Sequence, residues 1–422
     1  MTIRYYTTSP YLSELTHSLY VISLCYDVTF EQAANKDQAE ITIGDSPTDT
    51  LYFTDTIFKA LYSDQPYYHM DNMLLTVDGR PDYLSSIFYL VNCLQELNPD
   101  PATRDSLGRY DSAASLQVRN NVMQQNVVAD YAAQVVASIP NVAINKKSDT
   151  STIFLSHDMD TIYGSLVQDS YWCLKRGNIA GMAQVMFTNL LRGPRWLNVD
   201  RIMAIESEND FKSTFFWMVK NGLTERGLSN SDYEITNSKV SQAVKSIADK
   251  GWHNGLHKSI GQTTPFSEEL KALPSGIVSN RFHYLYFDTF KTLPQIEEVG
   301  LKLDGSLGFA AEMGFRNSFS LPVHLFDIRN RRPFTFLECP LNCMDTTYLF
   351  YHKRTGDQFA ADVIDFAERN KTNSVLSILF HNNYISDHKF NNYLKAFKTV
   401  LAYFHESGYK SISEDEILKK YA

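Results

Sequence analysis

Asp158 and Asp160 stand two residues apart at the end of an apolar run, Thr152-Ile153-Phe154-Leu155. Such a run reads as a short buried strand. Side chains alternate faces along a strand, so both carboxylates point the same way. Two like charges on one face repel, and each is costly to bury unpaired. A metal, an arginine or water must offset that cost. A metal held by one carboxylate, with the other free as a base, is a common hydrolase layout. A solvated strand end is the plainer alternative.

Three further groups of chemically capable residues follow in order. They are Gly255-Leu256-His257-Lys258-Ser259, then Arg281-Phe282-His283-Tyr284, then Leu379-Phe380-His381 after the apolar run Ser374 to Phe380. Each lies near an expected strand end. Ser213-Thr214-Phe215-Phe216 and Leu303-Asp304-Gly305-Ser306 lie between and beside them. This ordered series resembles the polysaccharide deacetylases (NodB homology, carbohydrate esterase family 4), from about Asp149 to the C-terminus. The resemblance implies a distorted, incomplete (β/α) barrel. It also implies a metal-dependent hydrolase that removes N- or O-acetyl groups from a glycan or glycan precursor. A catalytically impaired glycan-binding relative is the alternative.

The resemblance assigns roles residue by residue. Asp160 and His257 become metal ligands, and Asp158 becomes the base. Arg281 matches the arginine that holds that base ionised. His381 becomes the acid for the leaving group. Asp304 matches an aspartate that orients this histidine, and the Tyr284 backbone N–H becomes an oxyanion donor. The ion would be a divalent metal, zinc first, with cobalt, nickel or manganese as alternatives. One position departs from the pattern. The family's further histidine falls at Gly261, and the adjacent Gln262 is no assured substitute. His283, which replaces a proline of the arginine motif, becomes the expected third ligand. His253 lies four residues before His257, the spacing of a helical zinc pair. Gly251, Asn254 and Gly255 oppose a helix there, so His253 is expected to be structural.

The strand ends need a scaffold. A helix–glycine–strand rhythm recurs in the second half. A helix over Ser238 to Lys250 precedes Gly251 and the strand to His257. Similar units are expected at Gln295 to Leu303, at Phe359 to His381, and from Leu394 to Ile412. Alternating α and β units argue for a parallel barrel or open sheet. Functional residues at several strand ends favour a barrel. Upstream, Leu19 to Leu24 and Ala39 to Ile43 read as strands, and Tyr83 to Leu97 as a buried helix. The stretches Asp82 to Leu90 and Asp105 to Tyr110 resemble the small α/β domain that precedes the barrel in a bacterial subfamily. The polar segment Asn145 to Ser151 reads as a linker. The expected domains are therefore 1–147, accessory, and 148–422, the barrel. Asp105 and Arg109 are expected to form a structural pair or turn.

Composition narrows the classes. With 422 residues, the chain is long enough for two domains and a large core. A net charge of −9 opposes a nucleic-acid surface. No long apolar run suggests a signal peptide or membrane span, so the expected location is cytoplasmic. Five scattered cysteines suit reduced thiols. The expected partner is a carbohydrate, for which the 13% aromatic content offers stacking surfaces.

Overall fold

The computed structural model describes residues 1–261 and 265–422; Gln262 lies outside the described residues. Near the N-terminus, strands β1 (Thr2–Tyr6), β2 (Thr29–Gln32), β3 (Ile41–Gly44) and β4 (Leu51–Tyr52) form a parallel sheet in the order β2-β1-β3-β4. Helices α1 (Leu12–Cys25), α2 (Tyr83–Val91) and α3 (Val127–Ala137) pack against one another beside it. The Asp82 side chain caps α2 by accepting the Ser85 N–H at 2.9 Å.

Two expectations in this region need correction. Leu19 to Leu24 is not a strand but the second half of α1. Leu15, Leu19 and Ile22 are all buried and repeat at helical spacing, which a short window of mixed apolar residues conceals. The helix expected to reach Leu97 stops at Val91, because Cys93 turns left-handed at φ 52°. A separate 3-10 turn covers Leu94–Leu97.

The second sheet contains β5 (Thr152–Met159), β6 (Ser213–Met218), β7 (His253–Lys258), β8 (Ser279–Phe282), β9 (Leu303–Asp304), β10 (Leu337–Glu338), β11 (Leu341–Met344) and β12 (Val375–Leu379). A short strand, β13 (Lys410–Ser411), pairs with β5. The order is β10-β9-β8-β7-β6-β5-β12-β11, and every pairing is parallel. Every residue of β6 and β12 is buried, as strands covered on both faces require. The edge strands β10 and β11 are separated in sequence only by Cys339 and Pro340. Three residue steps span at most roughly 10–11 Å. The sheet must therefore curl until its edges meet, as a distorted α/β barrel with no ladder at the seam.

Helices connect the strands. After β5 come α4 (Gly164–Lys175), α5 (Ile179–Arg192) and α6 (Val199–Ser207). Further on are α7 (Ser238–Asp249), α8 (Gly356–Arg369), α9 (Asn391–Glu406) and α10 (Glu414–Tyr421). The buried stripe of α7 is Val240, Ala243, Val244 and Ile247, the i, i+3, i+4, i+7 pattern visible in the sequence. One continuous apolar core runs through both sheets and their helices.

The N-terminal region rests on the barrel through polar as well as apolar contacts. Arg316 Nε and Nη2 each donate to Glu96 at 2.8 Å, and both side chains are buried. Gln117 Nε2 donates to the Arg316 carbonyl at 2.8 Å. Between the sheets, the Asn145 carbonyl accepts the Asp27 N–H at 2.9 Å, while Ser148, Asp149 and Thr150 are exposed. No helix is long and apolar enough to cross a membrane among the described residues.

Candidate metal and acid–base site

Ser156, Asp158 and Asp160 alternate with the neighbours of β5 and share one face. Across the interior, Arg281 on β8 reads that face. Its Nη1 donates to Ser156 Oγ at 2.8 Å and to Asp158 Oδ1 at 3.0 Å, while Nε donates to the Gly305 carbonyl at 2.9 Å. The guanidinium is fully buried over the Phe216 ring, 4.5 Å from its centre. Residue 255 must be small for that stack to form. A Cβ on Gly255 would lie 2.5 Å from the Phe216 ring.

His257 lies one residue before the end of β7, with its Nδ1–H donating to the Arg281 carbonyl at 2.9 Å. That bond fixes the tautomer and leaves the Nε2 lone pair facing Asp160 Oδ1 at 3.3 Å. Neither atom has a hydrogen-bond partner, although both are buried. Burial opposes a charge on His257, but Asp158 and Asp160 outweigh it and raise the imidazole above its ordinary value. Either a proton on Nε2 or a metal ion between the two atoms satisfies them. His283 Nε2 lies 3.7 Å from Asp160 Oδ2, and its ring meets His257 edge-on at 4.9 Å. Among the described residues, Asp160, His257 and His283 form a group whose ligand atoms could hold a metal ion. The donor set of two imidazoles and one carboxylate suits a first-row divalent ion.

The charges agree with that reading. Burial would raise the Asp160 carboxyl, but His283, His257 and His381 together hold it well below the usual carboxylate range. Burial pulls His283 below the ordinary histidine value despite Asp160 beside it, which keeps its lone pair available.

His381 follows β12 and faces the same cluster, with Nε2 3.6 Å from Asp160 Oδ2. Its backbone N–H donates to Asp345 Oδ2 at 2.7 Å, and its Nδ1 lies 2.6 Å from Asp345 Oδ1. Burial lowers the pKa of this imidazole, but Asp345, with Asp160 and Asp158 beyond it, lifts the value to about 9. The orienting aspartate is therefore Asp345, at the end of β11, and not Asp304. Asp304 accepts from Asn280 Nδ2 at 2.6 Å and from Ser306 Oγ and N–H at 3.1 Å. It is fully buried beside Glu338, and burial raises both carboxyls, Glu338 the more strongly. A carboxylate directly after the short segment Leu341-Asn342-Cys343-Met344 was the available, weak signal for Asp345.

Arg109 enters this site from the N-terminal region, a role beyond the structural pair or turn expected with Asp105. Its ion pair with Asp105 is present at 2.7 Å. Asp105 Oδ1 also accepts the N–H groups of Leu107 and Arg109, each at 2.9 Å, which fixes the turn. Arg109 Nη1 then donates to the Tyr284 carbonyl, and Nη2 to Tyr351 Oη at 3.2 Å. Tyr284 and Leu285 are both left-handed, at φ 58° and 50°. Each such residue costs on the order of 1–3 kcal/mol and needs outside support. Arg109 supplies that support at the peptide following His283.

The remaining histidines lie elsewhere. His253 begins β7 and pairs with Glu414 at 3.2 Å, a strand's length from His257. His324 Nδ1 bonds the Phe336 carbonyl at 2.9 Å. Gly261 has φ +62°, a backbone that disfavours a side chain. All five cysteines are buried and free.

Asp158, Asp160, His257, His283 and His381 line one cleft of about 390 Å³ at the C-terminal ends of the strands. Phe350 and Tyr351 stand exposed at its rim. Arg109, Leu285, Ala310 and Tyr351 are shared with an adjoining hollow of about 250 Å³.

Residues 5–142 match the profile of a family of unknown function, DUF7033. No curated protein matches the sequence significantly. Structural similarity to solved proteins covers about two thirds of the chain. A Mycobacterium smegmatis protein assigned as a polysaccharide deacetylase is 13% identical, with a TM-score of 0.40, over 64% of this chain and 90% of its own. The peptidoglycan deacetylase PdaC from Bacillus subtilis is 11% identical, with a TM-score of 0.29, over 64% and 92%. A CE4 family pseudoenzyme from Bacillus anthracis is 13% identical, with a TM-score of 0.28, over 65% and 67%.

Proposed function

We propose that this chain is a metal-dependent hydrolase that removes N- or O-acetyl groups from a glycan or glycan precursor. The observation that carries the reading is the buried, unpartnered pair of Asp160 Oδ1 and His257 Nε2, with His283 in reach, beneath an open cleft. Asp160, His257 and His283 would hold a divalent ion, zinc first. Such an ion, when bound, lowers the pKa of coordinated water and polarises the acyl carbonyl.

The chain's own groups carry the protons. Asp158, held by Arg281, takes a proton from the attacking water as the carbon–oxygen bond forms. The Tyr284 backbone N–H is the donor assigned to the oxyanion. His381 Nε2–H gives its proton to the amine nitrogen, or to the alcohol oxygen of an ester, as the bond to the acyl carbon breaks. Acetate and the free sugar group leave. Exposed Phe350 and Tyr351 offer apolar faces for a sugar ring at the cleft mouth. In this reading, residues 148–422 form the catalytic unit and 1–147 the accessory domain that delivers Arg109.

A glycan-binding role without catalysis is the second reading, favoured by glycine at position 261, where the resembling enzymes carry a further histidine. Acetate release from N-acetylated chito-oligosaccharides separates the two. The chain should be inactive after chelation and active again with zinc. Stoichiometric zinc without acetate release, across N- and O-acetylated glycans, supports the binding protein instead.

A further inference from the structure

Among the described residues, ten of the fourteen exposed large hydrophobic side chains lie between Tyr163 and Leu191. That segment is the helical hairpin of α4 and α5. Val167 is 72% exposed, Phe187 65% and Leu190 81%. Leu166, Met186, Phe187 and Leu190 line a largely apolar groove of about 810 Å³ between the hairpin and the start of α7, where Lys239 adds a basic edge. Scattered exposed apolar residues need no explanation, but a patch concentrated in one hairpin marks an interaction surface.

The hairpin's charge identifies the partner. Between Tyr163 and Arg192 the sequence has three basic residues, Lys175, Arg176 and Arg192, and one acid, Asp169. The whole chain carries −9, so this segment at +2 opposes the rest at −11. Asp169 is buried and accepts from Trp196 Nε1 and Ser386 Oγ, each at 3.1 Å, so it presents no surface charge. At the tip, Arg176 lies over the Trp172 ring at 4.2 Å, beside exposed Lys175. Apolar helices edged by aromatic and basic residues are the composition of an interfacial membrane anchor. A second copy would bring two positive hairpins together.

We infer that the α4–α5 hairpin docks the protein on an anionic lipid bilayer surface, with its apolar side chains entering the headgroup boundary. Its place in the fold gives this a consequence. The hairpin leaves the end of β5 that carries Asp158 and Asp160. Its base is tied to the segment after His381: Asn382 Nδ2 donates to the carbonyls of Thr161 and Trp196 at 2.8 and 2.7 Å. Arg195 and Arg201 both pair with Asp387. Docking would therefore set the cleft beside the bilayer. The inference does not depend on the proposed activity.

Flotation of the full chain with phosphatidylcholine vesicles, with and without phosphatidylglycerol, tests it. The protein should float with the anionic vesicles, and less at high salt. Combined Phe187→Ser, Leu190→Ser and Leu191→Ser changes should abolish flotation. Lys175→Glu with Arg176→Glu, which leaves the apolar face intact, should weaken anionic-vesicle binding by roughly tenfold. Near-UV circular dichroism checks that each variant is folded. A wild-type chain that floats with neither vesicle overturns the inference. So does flotation that both variants retain. A dimer in sedimentation, lost in the serine variant and without vesicle binding, would assign the face to a second copy.

Discussion

Asp158, Asp160, His257 and His381 divide their work by the partners that hold each atom. Arg281 holds Asp158, and Asp345 holds His381, and the proposed mechanism gives both of them proton transfer rather than ion binding. Asp158→Asn and His381→Ala should each lower kcat by ~10²–10⁴ while bound zinc stays near stoichiometric. Loss of zinc from both variants would assign them to the ion instead. His381 holds its proton up to about 9 because Asp345 and the other carboxylates outweigh burial. An imidazole raised in this way is charged below that pH and neutral above it, so acid catalysis fades as pH rises. Asp345→Asn removes the adjacent charge and should move the titration to lower pH. Proton NMR of the His381 ring in metal-free protein reads this, and an unmoved titration contradicts it. Asp158, Asp160, His257, His283 and His381, which the structure brings to the cleft, were legible because each lies at or just after the end of a strand. Asp304 misled because its motif marks a strand end without marking its partner. The contact between Asp345 and His381 joins residues 36 apart, and the parallel pairing of β11 with β12 creates it.

Among the elements that build the site, the Tyr284–Leu285 segment carries a strained, left-handed backbone. Two consecutive left-handed residues persist there because Arg109 reaches across from the N-terminal region. Arg109→Ala should lower kcat by about 10–100-fold, in line with disturbing an oxyanion donor. Arg109→Lys should restore little, since one ammonium cannot serve Asp105, Tyr284 and Tyr351 together. An unchanged kcat with an altered KM would make Arg109 a substrate contact. The connecting helices α7, α8 and α9 were readable from their apolar stripes and the glycines or polar turns behind them. Helix α1 was not, because Leu19 to Leu24 in isolation fits a buried strand as well as a helix. The role of Arg109 had no local signature, since its partners Tyr284 and Tyr351 lie 175 and 242 residues away.

At the scale of the molecule, two sheets share one apolar core and a buried ion pair. Glu96 meets Arg316 with two hydrogen bonds and almost no solvent contact. Glu96→Ala leaves a buried guanidinium without its carboxylate and should cost about 3–5 kcal/mol. Urea unfolding should therefore show a single transition in the wild type, with a lowered midpoint in the variant. Two separate wild-type transitions would show that the regions fold independently. The barrel's parallel order followed from the alternation of helices and strands. Its seam did not, because closure rests on Cys339 and Pro340 spanning two sheet edges rather than on any periodic pattern. We propose that this barrel gathers a metal site from three strand ends. A crystal structure of the zinc-loaded chain, with the ion placed by anomalous scattering, should show one ion with an Asp160 oxygen, His257 Nε2 and a His283 nitrogen each within ~2.0–2.2 Å. An ion held elsewhere, or a His283 ring turned away from an ion that other side chains complete, would contradict it.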